Sequence, residues 1–148
     1  MTYHELTKGR FSQLNQEYLI TSVTHNRKPI FKNFNLARIL VNEFKNQQEQ
    51  NNATWLSWII MPDHFHILIS LQESDLKHLM MSIKGRSARD INKMINHRGE
   101  IWQKGFYDRA LRHEDDRKNI ARYIVANPLR AGLVKHIGEY PHWDAIWL

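Results

Sequence analysis

The eighteen residues Thr54–Leu71, TWLSWIIMPDHFHILISL, constrain this chain more than any other stretch. Two apolar runs rich in β-branched and aromatic residues flank Met61-Pro62-Asp63, a short turn signal. That pattern spells a hairpin with strands at Thr54–Ile60 and His64–Leu71. On the second strand, alternation sends His64 and His66 to one face with Leu68 and Ser70, and Phe65, Ile67 and Ile69 to the other.

The rest of the chain supplies partners for this hairpin. The polar segment up to Gln16 reads as a loop or edge arm, and Glu17–Val23 (EYLITSV) as a strand. Leu36, Leu40 and Phe44 recur at spacing four in Asn33–Gln48, an amphipathic helix that Asn33 or Asn35 can cap. Ser74 can cap a second helix, from Asp75 to about Asn96, with Gly85 and Ser87 as points where it can break and Gly99 at its end. Ile101–Leu111 reads as a fourth strand with a bulge at Gly105. Asp115 or Asp116 starts a third helix that runs to about Ala126, because Pro128 disfavours a helical Asn127. Leu129–Val134 adds a further turn, and Tyr140–Leu148 is an aromatic tail. The order βαββαβα predicts an α+β fold. It is a ferredoxin-like split βαβ antiparallel sheet with helices on one face and a C-terminal helix. At 148 residues, one domain spanning 1–148 is expected.

Composition narrows the function classes. Cysteine is absent, which removes a disulfide scaffold, a zinc ribbon and a cysteine nucleophile together. No apolar run approaches 18 residues and the first residues lack a signal-peptide core, so a cytoplasmic protein without a membrane span is expected. The formal net charge is +6. Residues 75–112 hold nine Lys or Arg against four Asp or Glu, a basic stretch that suits nucleic acid as well as it suits a solvated surface.

Two constellations carry chemistry. His64 and His66, two apart on one strand face, are natural joint ligands for one ion, although two exposed strand histidines have the same signature. With no cysteine, an open mixed N/O site for Mg²⁺ or Mn²⁺ suits them better than a closed zinc site. Tyr123 and Asn127 stand four apart on the third helix and share a face. Tyrosine is a poor nucleophile at its free pKa of about 10, and a metal that polarises the electrophile compensates. An asparagine carbonyl suits a hard cation. A core aromatic and a helix end before proline are the alternative readings of the same two residues. Tyr107 is a rival nucleophile without a polar partner four residues on.

The runs WIIMPDHFHILI (Trp58–Ile69), IWQKGFYDRALR (Ile101–Arg112), RYIVANPLRAGLV (Arg122–Val134) and EYPHW (Glu139–Trp143) together resemble the REP-associated tyrosine transposases. These are relatives of the single-tyrosine insertion-sequence transposases in the HUH (His-hydrophobe-His) superfamily. The resemblance spans nearly the whole chain. It implies a ferredoxin-like sheet with the HUH strand central and a C-terminal catalytic helix. By the same resemblance His64 and His66 fall on the metal ligands and Tyr123 on the nucleophile. Asn127 falls on a polar third ligand, where insertion-sequence relatives carry glutamine. The implied activity is cleavage and rejoining of single-stranded DNA at hairpins of repeated palindromes, with Mg²⁺ or Mn²⁺ and a 5′-phosphotyrosine intermediate.

Lys84, Arg86, Arg89 and Lys93 then make the second helix a candidate phosphate surface, with Arg109 and Arg112 as further DNA contacts. Trp102, Phe106 and Tyr107 are candidate stacking platforms, with core packing as the alternative, favoured for Trp102. Two other functions stay open: a non-catalytic hairpin-binding module derived from a transposase, and a metal-dependent phosphodiesterase that uses water. Both a monomer and a homodimer are compatible with the sequence.

Overall fold

The computed structural model describes residues 16–112 and 114–145; the side chains of 114–116 are not described. The expected N-terminal arm before Gln16 and the last three residues of the aromatic tail lie outside this range.

The elements are β1 (Glu17–Val23), α1 (Phe34–Glu49), β2 (Ala53–Met61), β3 (His64–Leu71), α2 (Leu76–Ile95), β4 (Tyr107–Ala110), α3 (Glu114–Val125), α4 (Asn127–Arg130) and β5 (Trp143–Ala145). Short 3₁₀ turns occupy His25–Arg27, Ile30–Lys32 and Ile137–Glu139. The five strands form one sheet in the order β4-β1-β3-β2-β5, and every pairing is antiparallel. The histidine strand β3 is central, as the resemblance implied.

Local chemistry explains most boundaries. The Asn33 side chain accepts from the backbone N–H of Asn35 and Leu36 and so caps α1. The second helix is capped one residue later than expected: Asp75, not Ser74, accepts from His78 N–H at 2.8 Å. This helix does not break at Gly85. Packing holds it straight, because Ser87 is buried beneath Trp102 and receives the indole N–H at 3.0 Å. Asn96 ends it in the left-handed region.

The fourth strand is shorter than its apolar pattern suggested. Before Tyr107 only Trp102 keeps a bridge, to Thr24, and Gly105 turns the chain away with φ +76. The tail, expected as an aromatic extension, instead contributes β5 and caps the β2 edge. Ile60 N–H donates to the His142 carbonyl, and the Tyr140 hydroxyl donates to the Ile60 carbonyl at 2.5 Å. Burial pushes the Tyr140 phenol up to about 12, so it stays a donor across the physiological range. The EYPHW run therefore closes the sheet.

Two apolar layers cover the sheet. On the Phe65 face, α1 and α2 bury Leu36, Leu40, Phe44, Leu79, Met80 and Ile83 against Phe65, Ile67 and Ile69. On the histidine face, α3 packs Ile120, Ala121 and Ile124 against Ile59, Met61 and Leu68. A register shift between Trp55 and Ser57 makes this division possible. The extra residue inverts the alternation along β2, so Trp55 faces α1 while Ile59 and Met61 face α3. No helix among the described residues is long and apolar enough to cross a membrane.

Candidate active site

Cross-strand pairing sets the frame of the site. Tyr107, Thr21, His66, Ile59 and Trp143 lie opposite one another on β4, β1, β3, β2 and β5, so all five share the histidine face. His64 occupies the next place on that face, paired with Val23 and Met61. The two imidazole rings stand 4.9 Å apart, nearly perpendicular at 76°.

Each ring is held by its Nδ1. Asp63 Oδ1 lies 2.7 Å from His64 Nδ1, and Thr21 Oγ1 lies 2.7 Å from His66 Nδ1. Burial acts to raise the Asp63 carboxyl, but its hydrogen bond to His64 and the Arg27 guanidinium outweigh this and hold it below the usual range. An ionised carboxylate only accepts, so His64 Nδ1 donates to Asp63 and the ring is turned with Nε2 away from that bond. Burial, with the neighbouring His64 and Arg130 charges, lowers His66 to about 4, so this ring is neutral near pH 7. Two imidazoles oriented through Nδ1 form a donor set suited to a divalent cation.

Among the described residues no cluster of three His, Cys, Asp or Glu could hold a metal. Among the described residues, a third ligand beside the two histidines would be of another type. Asn127 opens α4, half-buried, and its Nδ2 donates to the Ile124 carbonyl at 3.0 Å. That bond orients the amide and leaves Oδ1 as a neutral oxygen donor. The residues present fit a hard divalent ion.

Tyr123 stands on α3, the helix packed on the histidine face, and is 59% exposed, which removes the core-aromatic reading of this residue. Its ring lies under the Arg130 guanidinium at 3.8 Å, and Arg130 also donates to the Tyr123 carbonyl at 2.7 Å. The Glu17–Arg117 ion pair ties the first half of α3 to β1.

The remaining candidates divide by face. Arg109 lies beside Leu19 and Leu68 on the histidine face, and Tyr107 is 41% exposed on the same face. Arg112 is exposed just beyond β4. Lys84, Arg86, Arg89 and Lys93 are on α2, which covers the opposite face. The Lys84 ammonium donates to the carbonyls of Gln103 and Gly105, and burial lowers it to about 8. Arg86 pairs with buried Glu43, and Arg89 with Asp90. The structure thus does not bring the α2 cations to the histidines. Trp102 and Phe106 are buried in the core and offer no stacking surface. Sequence reasoning missed Thr21, Asp63 and Arg130. Asp63 sits next to His64, whereas Thr21 is joined to His66 only by strand pairing.

Comparison with known proteins bears on the family and the fold. A family model described as "Transposase IS200 like" matches residues 12–127. A REP-associated tyrosine transposase of Escherichia coli is 30% identical over 88 residues, covering 57% of this chain and 50% of that protein. A candidate REP-associated tyrosine transposase of Haemophilus influenzae is 28% identical over 117 residues, covering 69% of this chain and 66% of its own length. The chain thus spans between half and two thirds of these curated relatives. Among solved structures, a REP-associated tyrosine transposase bound to a REP hairpin superposes with a TM-score of 0.78 at 20% identity, over 90% of this chain and 79% of the other. A Deinococcus radiodurans protein described as a candidate transposase gives a TM-score of 0.56 at 22% identity, over 80% and 95%. These two likenesses establish the fold.

Proposed function

The chain belongs to the IS200-like transposase family, and from that premise we propose that it cuts and rejoins single-stranded DNA at palindromic hairpins, with Tyr123 as nucleophile. The observation that carries this reading is the pairing of two Nδ1-anchored histidines on the central strand with an exposed tyrosine on the helix packed over the same face. A solved relative is bound to a REP hairpin, which supports hairpin DNA as the substrate class.

Tyr123 Oη attacks the scissile phosphorus in line with the 3′ oxygen. The new bond joins Oη to phosphorus, the bond to O3′ breaks, and the proton lost by the phenol is balanced by the one O3′ gains. The products are a 5′-phosphotyrosine and a free 3′-hydroxyl. Covalent retention of the strand conserves the phosphodiester energy, so the reverse attack rejoins DNA without a nucleotide cofactor. His64 Nε2, His66 Nε2 and Asn127 Oδ1 would hold a divalent ion such as Mg²⁺ or Mn²⁺. When bound, that ion supplies Lewis-acid polarisation of a phosphate oxygen. Asp63 and Thr21 keep the two rings aimed. Arg109, with Tyr107 beside it, lies on the side of the histidine face nearest β4, the outermost strand among the described residues, where it can track a strand.

The test is incubation with an end-labelled single-stranded hairpin and Mn²⁺, analysed on a denaturing gel. With the label at the 3′ end, a downstream fragment joined to the protein through its 5′ phosphate is expected from the wild type and none from Tyr123→Phe, which keeps the ring and removes one oxygen. Cleavage by Tyr123→Phe without an adduct would make water the nucleophile. Tight binding without any cleavage by the wild type would favour a non-catalytic hairpin-binding module.

A further inference from the structure

We propose that Arg130 is a positioning residue for Tyr123, clamping the phenol ring against α3 and offering its free N–H groups to the phosphodiester that the ring approaches. The inference rests on the reading of Tyr123 as nucleophile.

The exposed Tyr123 ring stands away from the apolar seam that Ile120, Ala121 and Ile124 make with the sheet. An exposed tyrosine on a helix has two free torsions, and a nucleophile left to sample them loses rate. Arg130 restricts them. Its guanidinium carbon lies 3.8 Å from the ring centroid, within cation–π range, while one NH₂ donates to the carbonyl of the same tyrosine at 2.7 Å. The two contacts bind one arginine to both ends of one residue, so ring and helix move together.

The chain path explains why this arginine reaches that ring. Pro128 near the start of α4 redirects the chain after Val125, and α4 lasts only four residues. The side chain of Arg130, the last residue of α4, reaches back to the ring and carbonyl of Tyr123. Seven positions are about two helical turns, which keeps Arg130 near the side of the path that carries Tyr123, and side chains on a helix lean toward its N-terminus.

Guanidinium carries five donors, and the Tyr123 carbonyl takes one. The fork geometry suits a phosphate oxygen, and Lys would supply neither the planar stack nor the fork.

The experiment compares wild type, Arg130→Ala and Arg130→Lys in three measurements. These are hairpin affinity by anisotropy, single-turnover adduct formation with Mn²⁺, and the ring resonances of Tyr123 in protein labelled with ¹³C-tyrosine and assigned through Tyr123→Phe. Thermal melts check that the exposed substitutions leave the fold intact. Both variants should shift the Tyr123 ring resonances. Both should form adduct about 100-fold more slowly, with affinity changed less than fivefold. Unchanged resonances in Arg130→Ala would overturn the clamp, whether or not the wild type cuts DNA. Shifted resonances with wild-type adduct rates would reduce the contact to packing and overturn the positioning role. If the wild type forms no adduct, the reading of Tyr123 as nucleophile fails, and positioning fails with it even where the resonances shift. Full activity of Arg130→Lys would show that charge alone suffices and would overturn the stacking argument.

Discussion

Thr21 Oγ1 lies 2.7 Å from Nδ1 of His66, directly across the strand pairing from it. The hydroxyl fixes the ring so that Nε2 faces the site. Thr21→Val keeps the β-branched shape and the strand while removing that hydrogen bond. Divalent-ion affinity should fall about 10- to 100-fold, the usual effect of losing a partner of a metal-binding histidine. Calorimetric titration with Mn²⁺ measures this, and an unchanged affinity would separate Thr21 from the site.

His66→Ala and His64→Ala should each abolish adduct formation, as should excess EDTA. His66 is half-buried at the centre of the face, yet neither side chain belongs to the apolar seam under α3. Urea titrations should therefore show stability within about 1 kcal/mol of wild type. Full cleavage in EDTA would end the metal reading.

The metal-free protein should lose stability on acidification in a defined window. His66 is lowered from 6.5 to about 4, so the unfolded chain binds the proton first. Stability from this group is complete above about pH 6.5 and is lost as pH falls through about 4. Thermal melts in chelator from pH 7 to 4 should show a decline that His66→Gln flattens. The same decline in both proteins would assign it to other groups.

Hairpin affinity should depend on the histidine face. Arg109→Gln should reduce the slope of log affinity against log salt by about 0.7, the value for one phosphate contact on a single strand. Arg89→Gln, on α2 across the sheet, should leave the slope unchanged. The reverse result would put DNA on the α2 side.

Ser87→Ala tests the buried seam between α2 and the segment before β4. It removes the acceptor of the Trp102 indole N–H, where Ser87 is fully buried and Trp102 only 6% exposed. The orphaned donor should cost about 1–3 kcal/mol in urea unfolding. A smaller loss would mean that the indole finds another acceptor.

Much of this architecture is written into short-range patterns. Alternation over Glu17–Val23 and His64–Leu71 set both strands at their observed bounds and put His64 and His66 on one face. Spacing four along Leu36, Leu40 and Phe44 marked the buried stripe of α1. Those signals depend on residues a few places apart, and the backbone geometry converts them directly into faces. The family motifs carried the candidate roles of Tyr123 and Asn127 on the same terms.

Contacts between distant segments followed other rules. Residues 143–145 carry too few alternating positions to announce a strand, and they become β5 because β2 offers an unpaired edge. The six residues from Ile101 to Phe106 have strand-like composition but stay outside β4, where Gly105 turns and Lys84 captures the loop carbonyls. The bulge at Trp55–Ser57 decides which β2 side chains face α3, and no period in the sequence marks it. Thr21 meets His66 across 45 residues only through strand register. Arg130 covers Tyr123 from the short helix that follows, seven residues along the chain. Each of these depends on where a second segment comes to rest, and a local pattern holds no record of its partner's position.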